Sequence, residues 1–529
     1  MRRAVHHYAY RRSADQDART VKHHPVVVVG AGPVGLTAAI DLALRKVPVV
    51  LLDDADRIGE GSRGICYAKR SLEIWDRLGA GEKLVGIGVT WQLGKVFLGN
   101  ELVYSFDLLP ESGHKMPAFI NLQQYHLEKV LVDRVEEIES IDLRWKNKVI
   151  GIEQRNDHAR LTIETPDGPY QLDAAWVIAA DGARSTLRVL LGVSFEGLTF
   201  EEKFLIADVC MAADFPTERR FWFDPPFHSG QSALMHRQPD NVWRIDLQLG
   251  PDADVAEEQR PERVVPRLKR ALGDRDFELE WVSIYRFNCR RIDRFIRGRC
   301  IFAGDSAHQV SPFGARGGNS GVQDAENIAW KLAAVLQGKA GPGLLDSYDT
   351  ERRQAADENI GHSTRSTDFI APRSAAEREL RNAVLALAPA AEFARRMVNS
   401  GRLSIATIYE TPLSTPDETP FGGTARLGAP VPDAPLTAAN GEPAFLVERL
   451  SSNFQVVHVR NRASPDLPDG VGLTIIGEDL RDEAGLFTQR FDATPGATYL
   501  LRPDHHLAAR WRTCDRGKIS AALDRALGF

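Results

Sequence analysis

The chain has 529 residues, of which 43% are hydrophobic and 26% are charged, and its formal net charge is −6. The length suits two or three domains, and the composition is that of a soluble globular protein. The negative charge argues against electrostatic binding to nucleic acid or to a membrane surface, so neither is expected as a partner.

The first 24 residues are basic and contain no apolar segment, so they do not form a secretory signal. We predict a disordered N-terminal lead over residues 1–24. An organelle transit peptide is the alternative, although Asp15 and Asp17 interrupt its basic pattern. The longest apolar run, residues 25–40, is too short to span a bilayer and contains Gly and Pro, so a soluble protein is expected.

A βαβ unit is predicted directly after this lead. The four valines at 26–29 indicate a strand buried on both faces of a parallel sheet. The sequence GAGPVG follows, and then come a helix over about 34–46 and a second buried strand over 48–54.

Strand patterns dominate the middle of the chain. Residues 160–182 predict a hairpin with its turn at Pro166-Asp167-Gly168. Short alternating strands between 203 and 290 predict one face of an antiparallel sheet, and residues 300–304 predict a further strand.

The last third of the chain is predicted to be helical at first and mixed afterwards. Apolar residues from Ala325 to Leu336 follow helical spacing, and the helical pattern continues to about Ser400 with a kink at Pro389. Residues 411–443, rich in Pro, Gly and Thr, are typical of a linker, and residues 444–529 predict a small α/β domain.

The five cysteines are scattered and none forms a CxxC pair, which is typical of free thiols in a reducing compartment. We therefore expect a cytoplasmic protein. A metal site needs clustered ligands, and the close pairs His23-His24 and His505-His506 are expected on the solvated surface. No metal is predicted.

The sequence Gly30-x-Gly32-Pro33-x-Gly35 lies between the first predicted strand and helix, as in the dinucleotide-binding fingerprint. The first glycine permits a tight turn, the second lets the backbone approach a pyrophosphate, and the third lets the helix pack on the strand. Asp53 ends the second strand, where it can accept hydrogen bonds from a ribose diol. A purely structural glycine turn is the alternative.

Two further acids close predicted strands. Asp181-Gly182, taken alone, is typical of an ordinary turn. Gly304-Asp305 is followed by PFGARGGN and then by a helix, which is more specific. The glycines there leave a helix N-terminus accessible to a planar, electron-rich group.

In this order and spacing, GAGPVG, the Asp-Gly at 181 and the Gly-Asp at 305 resemble the motifs of the class A flavoprotein aromatic hydroxylases, the group of para-hydroxybenzoate hydroxylase and phenol hydroxylase. The resemblance covers roughly residues 25–400. The C-terminal YLLRPDHHLAARW is similar to the hydroxyphenylpropionate-hydroxylase-like branch, whose members carry a C-terminal thioredoxin-like domain.

The resemblance implies an α/β fold with three parts. A Rossmann-like FAD-binding domain would comprise residues 25–200 and 291–410, with a mixed or antiparallel substrate-binding sheet inserted over 201–290. After the linker 411–443, residues 444–529 would form a thioredoxin-like domain without CxxC. That domain often takes part in dimer contacts in this branch, so a homodimer is expected.

The same resemblance implies roles for matching residues. The expected cofactor-binding residues are Gly30, Gly32, Pro33, Gly35, Asp53, Arg63, Gln124, Asp181, Gly182, Gly304, Asp305, Pro312, Gly317, Gly318 and Asn319. Pro312 and Gly314 would form the catalytic loop at the flavin ring, with no acid or base assigned.

Some of these roles have alternatives. Arg63 would contact the FAD pyrophosphate and help receive the nicotinamide. Arg70 could contribute positive charge to the same task, and the alternative is that Arg70 lies on a solvated helix face. Gln124 would reach the ribityl chain. The neighbouring Gln123 is the alternative residue for this contact. Arg184 adds charge beside Asp181. His308 is expected to be structural rather than catalytic.

The implied activity is hydroxylation of a small phenolic substrate with FAD, O2 and NADH or NADPH, through a C4a-hydroperoxyflavin. The chain has one nucleotide-binding fingerprint, so the nicotinamide is expected to bind transiently. Substrate contacts are expected from the inserted sheet, with candidates Trp222, His228, His236, Arg244, Tyr285 and Arg286, about half of which should face away because side chains alternate along a strand.

Other functions remain open at this point. A flavin-dependent dehydrogenase, epoxidase or halogenase would share the fingerprint, although the N-terminal Lys and Trp motif expected of a halogenase is absent from the sequence. A non-catalytic FAD-binding protein is the alternative outside the enzymes.

We predict that Asp305→Ala weakens FAD retention more than it disturbs folding, because the carboxylate would bond the ribityl hydroxyls rather than the core. Flavin content after gel filtration measures the first effect, and the thermal unfolding midpoint of the apoprotein measures the second. Unchanged flavin affinity in the variant contradicts the assignment of Asp305.

Overall fold

The computed structural model describes residues 6–59, 61, 64–398, 403–461 and 465–529 of the chain. Arg63, an expected cofactor ligand, lies outside the described residues. The described part contains two eight-stranded sheets, one seven-stranded sheet and one three-stranded sheet.

The first eight-stranded sheet carries the glycine-rich motif. Its main path runs in the order Ile296–Arg297, Cys300–Phe302, Tyr170–Ala179, Lys22–Val29, Val49–Leu52 and Ile141–Arg144. All neighbours along this path pair in parallel except the first two. The predicted hairpin is confirmed, since Ala159–Glu164 pairs antiparallel with Tyr170–Ala179 and also with Lys148–Gln154.

Three helices pack around this sheet, and they are Pro33–Leu44, Gln124–Glu136 and Gly317–Leu336. A short helix, Thr186–Leu190, follows the strand Tyr170–Ala179. The four valines at 26–29 are buried, as a strand covered on both faces by helices requires.

The N-terminal segment differs from the disordered lead that the sequence predicted. Tyr8 stacks on Trp145 with ring centroids 4.6 Å apart, and a 3-10 turn spans Ala14–Asp17. Asp15 lies 2.8 Å from the guanidinium of Arg144, which is 5% exposed. The segment from residue 6 onwards is therefore held by contacts that include this aromatic stack, this largely buried ion pair and an exposed ion pair between Arg12 and Asp167.

The second eight-stranded sheet contains the strands for which substrate binding is predicted, and it is larger than expected. It is called the substrate sheet after that prediction. Its order is His308–Gln309, Glu278–Arg291, Glu196–Cys210, Val242–Gln248, Ser232–Arg237, Arg219–Phe223, Leu93–Leu98 and Glu101–Asp107. Two of its strands therefore come from residues 93–107, well before the predicted insertion at 201–290.

The two faces of this sheet differ in chemistry. One face is apolar, with Ala207, Ile245 and Leu247 packed against the helix Pro261–Leu272, which a short helix, Val255–Glu258, precedes. The other face carries Phe221 and Phe223 together with several charged side chains, and it looks toward the loop at 312–316.

A three-stranded sheet and a group of helices complete the first part of the molecule. The sheet order is Cys66–Ala68, Phe119–Asn121 and Val89–Trp91, with the helices Lys69–Arg77 and Gly81–Ile87 between its strands along the chain. The helical region after 317 divides into Gly317–Leu336, Asp346–Ile370, Ala375–Leu387 and Glu392–Val398. The breaks between these four helices lie at residues 337–345, at Pro372 and at the predicted Pro389, whereas Ser400 falls outside the described residues.

The C-terminal part forms a mixed seven-stranded sheet in the order Pro443–Phe445, Pro435–Ala438, Leu480–Arg481, Gly472–Ile476, Gln455–Val459, Thr498–Leu501 and Leu507–Trp511. Two helices accompany it, Leu486–Phe491 and Arg516–Ala526. The strand Pro435–Ala438 lies inside the predicted linker, so the sheet begins earlier than expected. The thioredoxin-like assignment stays a prediction.

A buried ion cluster joins this C-terminal sheet to the helices that follow residue 317. The carboxylate of Glu351 accepts hydrogen bonds from Arg502 at 2.7 and 3.1 Å and from Lys331 at 2.7 Å. Arg502 also donates to both carboxylate oxygens of Asp504, and one of these, Oδ2, accepts from the indole N–H of Trp330 at 2.9 Å as well. The four ionised side chains are fully buried, so each depends on the others for its charge balance.

Two sequence expectations are corrected at this junction. His505 and His506 are buried instead of solvated, and His506 stacks on Tyr409 with centroids 4.8 Å apart. Arg70 does not lie on a solvated face, because it is 8% exposed and donates to Glu326 at 2.6 Å and to the carbonyl of Asp504 at 2.8 Å.

Among the described residues, no helix combines the length and the apolar character needed to cross a bilayer. Within the same residues, no group of three or more His, Cys, Asp or Glu side chains is arranged to hold a metal ion.

We predict that Arg502→Met lowers the free energy of unfolding by about 3–5 kcal/mol, because it leaves Glu351 and Asp504 buried without their main counter-charge. Arg396→Met is the matched control, since Arg396 and Glu392 are 77% and 73% exposed and their pair should contribute about 1 kcal/mol or less. Urea titration of both variants measures the difference, and equal losses contradict the structural role of the cluster.

Candidate functional site

The site is built where four parallel strands end at the same level. Val29 is aligned with Leu52 on one side and with Ala179 on the other, and Ala179 is aligned with Phe302. The residues that follow these strand ends are the glycine turn, Asp53, Asp181 and Gly304-Asp305. Ligands of open α/β sheets bind at this carboxyl edge.

The glycine turn has the geometry that its sequence predicts. Gly30 adopts φ +104°, and a Cβ at Gly35 would lie 1.9 Å from the carbonyl oxygen of Gly30, so the helix sits directly on the turn. At Gly32 a Cβ would meet no atom within 4 Å. This open space lies at the N-terminus of the helix Pro33–Leu44, whose N–H groups favour an anion.

Asp53 supports the turn as well as ending its strand. Its carboxylate accepts hydrogen bonds from the backbone N–H of Ala31 at 2.6 Å and of Ala55 at 2.9 Å. Burial raises the pKa of this carboxyl, and the two N–H donors oppose the rise. Each oxygen keeps a second lone pair, so the predicted contact with a ribose diol remains compatible with the structure.

Asp181-Gly182 lies directly beside the glycine turn, since a Cβ at Gly30 would stand 2.4 Å from the carbonyl oxygen of Ala180. One carboxylate oxygen of Asp181 accepts from the N–H of Leu187 at 3.1 Å. The other, Oδ1, is buried and has no hydrogen-bond partner among the described residues. Burial also raises the pKa of this carboxyl. The partner-free Oδ1 is the atom of Asp181 that a ligand can complete with a hydrogen bond.

The Gly304-Asp305 motif meets the glycine turn through close packing. A Cβ at Gly304 would lie 2.9 Å from Val34, and a Cβ at Gly321 would lie 2.7 Å from the same side chain. Glycine at both positions therefore lets the helices Pro33–Leu44 and Gly317–Leu336 approach each other beside the site. Asp305 is exposed at this point, and its contact with a ribityl chain stays a prediction.

His308 has the structural role that was expected. Its Nε2 lies 2.7 Å from Asp324, which also accepts from the N–H of Gly304 at 2.8 Å and from Arg352 at 2.5 Å. Burial raises the pKa of Asp324, but Arg352 and His308 outweigh it and hold the pKa below its ordinary value. The ionised carboxylate thereby fixes the Gly304 turn.

The loop after Asp305 lies between the two eight-stranded sheets. Phe313 packs against Phe204 and Phe287 of the substrate sheet, with centroids 5.0 and 5.3 Å away. Gly314 lines the same cleft as Arg219 and Phe221. Pro312 and Gly318 are exposed, and Gly317 begins the following helix. The expected flavin-ring loop therefore faces the substrate sheet.

Asn319 acts as a clamp on that loop. Its side-chain oxygen accepts from the N–H of Ala68 and from the hydroxyl of Ser71, both at 2.8 Å. Its amide nitrogen donates to the carbonyls of Cys66 at 3.0 Å and Ala315 at 2.6 Å. The side chain is thus engaged by the protein, and a cofactor contact from Asn319 is left to its backbone.

The two glutamines behave differently. Gln124 accepts from the N–H of Gly64 at 3.1 Å and donates to Glu128 at 2.7 Å, so it tethers the segment that follows Arg63. Gln123 is buried and donates to the carbonyl of Pro239 at 3.3 Å. Arg184 and Arg286 are exposed.

The substrate candidates divide between the two faces of the sheet. Trp222 and His228 lie on the apolar face, where Trp222 stacks on Phe97 and His228 bonds the carbonyl of Gln248, so their assignment to the site was wrong. Alternation explains the error, because Phe221 and Phe223 beside Trp222 face the loop. His236, Arg244 and Tyr285 lie on the opposite face, toward the site.

The sequence interpretation missed two residues on the site face, Arg219 and Asp246. Arg219 is 7% exposed and lines the cleft with Phe313 and Gly314. Asp246 lies two residues after Arg244, on the same face of the strand Val242–Gln248. Two charged residues at alternate positions of an otherwise apolar strand were the available signal.

The arrangement fits FAD. The open space at Gly32 suits a pyrophosphate at a helix N-terminus, the partner-free Oδ1 of Asp181 offers an acceptor, and the loop 312–318 leaves exposed backbone facing the substrate sheet. Residues from the four strand ends therefore suit the nucleotide half of the cofactor, and the loop suits its ring.

We predict that Gly32→Ala keeps the stability of the apoprotein within about 1 kcal/mol, since its φ of −80° and ψ of −178° suit alanine and its Cβ meets no protein atom. The added methyl should occupy pyrophosphate space and raise the Kd for FAD by about tenfold or more. Flavin fluorescence titration measures the Kd.

Gly35→Ala is the contrasting variant, because its Cβ would overlap the carbonyl of Gly30. It should lose stability even without FAD. If both variants change stability equally, the space at Gly32 is not reserved for a ligand.

Comparison with known proteins agrees with this geometry. Residues 23–363 match the FAD binding domain family FAD_binding_3. A flavin-dependent monooxygenase of Mycobacteroides abscessus is 32% identical over 447 residues, which cover 80% of this chain and 86% of that protein. A para-nitrophenol 4-monooxygenase of a Pseudomonas species is 31% identical over 341 residues, covering 62% of this chain and 82% of the relative.

A solved structure supports the fold over nearly the whole chain. The flavin-dependent monooxygenase PieE, in complex with FAD and substrate, superposes with a TM-score of 0.80 at 22% identity, covering 96% of this chain and 99% of the other. The family match, the relatives and the strand-end geometry agree, and the chain belongs to the FAD-dependent monooxygenases of the FAD_binding_3 family.

Proposed function

We propose that this monooxygenase hydroxylates a small phenolic ring, using O2 and either NADH or NADPH. The observation that carries the proposal is the position of the loop 312–316 against the charged face of the substrate sheet, with Arg219, Phe221 and Gly314 lining one cleft. The para-nitrophenol 4-monooxygenase among the relatives supports a phenolic substrate.

When bound, FAD supplies hydride acceptance and oxygen activation. The chain supplies the surroundings for that chemistry. Gly30, Gly32 and Asp181 would hold the adenosine and pyrophosphate end, and Asp305 the ribityl chain. Phe204, Phe287 and Phe313 exclude water from the region where the ring and the substrate would meet.

The charged face of the sheet would orient the substrate. Arg219, His236 and Arg244 reach that face from three neighbouring strands, and each is less than 9% exposed. Burial, together with the charges of Arg219 and Arg244, lowers the pKa of His236 well below its ordinary value, so this imidazole is neutral at pH 7. The cationic side chain of Arg219 favours an anionic oxygen on the ring over a neutral one.

Nicotinamide binding would be transient, since the sequence has only one GxGxxG fingerprint. Arg63, outside the described residues, and Asp181 are the residues that the family resemblance connects with this step. Association into a homodimer is proposed on the same resemblance alone.

The FAD-loaded protein should oxidise NADH or NADPH faster in the presence of a productive phenol and should place one atom of 18O2 in the product. We expect mass spectrometry of reactions with a panel of phenols to show a gain of one oxygen atom. Substrate oxidation without 18O incorporation, as in a dehydrogenase, contradicts hydroxylation. A protein that cannot be reconstituted with FAD contradicts the whole assignment.

A further inference from the structure

A cluster of ionisable side chains lies on the site face of the substrate sheet. Arg219, His236, Arg244 and Asp246 come from three adjacent strands, and Asp208 comes from a fourth. All except Asp246 are less than 9% exposed. Charged groups at this depth need either internal partners or a ligand.

One pair within the cluster is already neutralised. Arg244 donates to both carboxylate oxygens of Asp208, at 2.8 and 2.9 Å, and Gln238 donates to the same carboxylate at 3.1 Å. This bidentate pair has little charge left to offer a substrate. Arg219 and Asp246 are then the two charges whose balance a substrate can change.

Those two residues and His236 carry buried polar atoms without partners. Asp246 Oδ1, Arg219 Nε and His236 Nδ1 have no hydrogen-bond partner within the part of the chain that the structure describes. Three unsatisfied atoms on one face of a sheet are costly unless a ligand completes them.

The cluster lies beside the expected flavin loop. Arg219 lines the cleft with Phe313 and Gly314. The Cys66 thiol is within electrostatic range of Arg219, Arg244 and Asp246, and the carbonyl of Cys66 accepts from Asn319 at the start of the helix that follows the loop. A ring held by this cluster would therefore meet the loop.

We propose that Asp246 is the proton acceptor for the phenolic hydroxyl of the substrate, and that Arg219 stabilises the resulting phenolate. The O–H bond of the phenol breaks, its proton passes to a carboxylate oxygen of Asp246, and the electron pair stays on the phenolic oxygen beside the guanidinium. This inference rests on the proposed function and deepens it.

The charge balance of the site favours such a transfer. Before the transfer, the negative charge of the Asp246 carboxylate balances the positive charge of Arg219. After the transfer, the negative charge of the phenolate balances it instead, so the buried net charge does not change. A substrate that brought a second anionic group into this cleft would add a charge without a counter-ion. The site therefore selects phenols that are otherwise neutral where they enter the cleft.

The acidity of Asp246 suits this role. Burial raises the pKa of Asp246 to about 7, with Arg244 and Arg219 lowering it and Asp208 raising it. Further titratable groups that interact with the neighbouring Arg244 include Cys66, whose thiol burial keeps protonated, the neutral His236, and Tyr285. An acceptor with a pKa near 7 is half ionised at neutral pH and can both take and release the proton.

The binding of 4-nitrophenol to the oxidised FAD-loaded protein tests the proposal without turnover. Above the pKa values of both the ligand and Asp246, the complex must take up one proton, so the wild-type Kd should rise tenfold for each pH unit. The bound ligand should nevertheless show the absorption spectrum of nitrophenolate, because the proton resides on Asp246.

Asp246→Asn removes the acceptor and keeps the size of the side chain, and it is neutral like the protonated acid, so its folding should be preserved. Its Kd for 4-nitrophenol should not change with pH in that range, because no proton is taken up. Glu202→Gln is the matched control, since Glu202 is a carboxyl of the same sheet whose pKa burial also raises and which bonds Gln248 instead of the cluster. It should keep the tenfold slope.

A wild-type Kd that does not change with pH, an Asp246→Asn slope equal to that of wild type, or a bound ligand with the spectrum of the neutral phenol overturns the role of Asp246 while leaving hydroxylation intact. If the FAD-loaded wild-type protein binds no phenol of the panel, the proposed function fails, and this inference fails with it.

Discussion

The close packing of two helices on one another holds the candidate cofactor site together. Val34 of the first helix occupies the space that side chains at Gly304 and Gly321 would fill. These glycines are more than 250 residues from the GAGPVG turn along the chain, and they bring the Gly304-Asp305 motif to the same strand edge as that turn. A larger residue at either position would separate the half of the site that suits the nucleotide from the half that suits the ring.

The ionised Asp324 also stabilises this arrangement. Its carboxylate is hydrogen-bonded to the N–H of Gly304, the ring of His308 and the guanidinium of Arg352. Arg352 in turn donates to the hydroxyl of Tyr409 at 2.6 Å. Tyr409 stacks on His506 of the C-terminal part. A chain of buried polar contacts therefore runs from the Gly304 turn to the C-terminal sheet, and each link depends on the next for its hydrogen bonds.

The sequence predicted the elements that local chemistry controls. The glycine turn, the hairpin at 159–179 and the acids at strand ends follow from spacing and turn residues, and the structure places them at one edge. It did not predict which face of the substrate sheet Trp222 and His228 would occupy. In a strand with bulky residues at every position, such as RRFWF, alternate side chains point to opposite faces of the sheet. The sequence does not show which of the two sets faces the site.

Long-range charge pairing was also beyond the sequence. The polar partners of Arg70, Asp208 and Glu351 lie 434, 36 and 151 residues away along the chain, in that order. No local sequence pattern predicts contacts over such separations. The ordered N-terminal segment belongs to the same class, since its ion pair with Arg144 depends on the folded sheet. Motifs that bind through their backbone were therefore predictable, whereas side chains that act in buried clusters were not.

The ion cluster around Glu351 also bears on how this architecture can be recombined. Half of its charges belong to helices of the FAD-binding part, and the other half to the turn 502–504. A chimaera joined within 411–434 would inherit one half and would have to find complementary charges in the foreign half. Exchange of C-terminal parts between related proteins should therefore succeed only where both proteins contain the Arg-Pro-Asp turn and an acid at the position of Glu351 that pairs with its arginine.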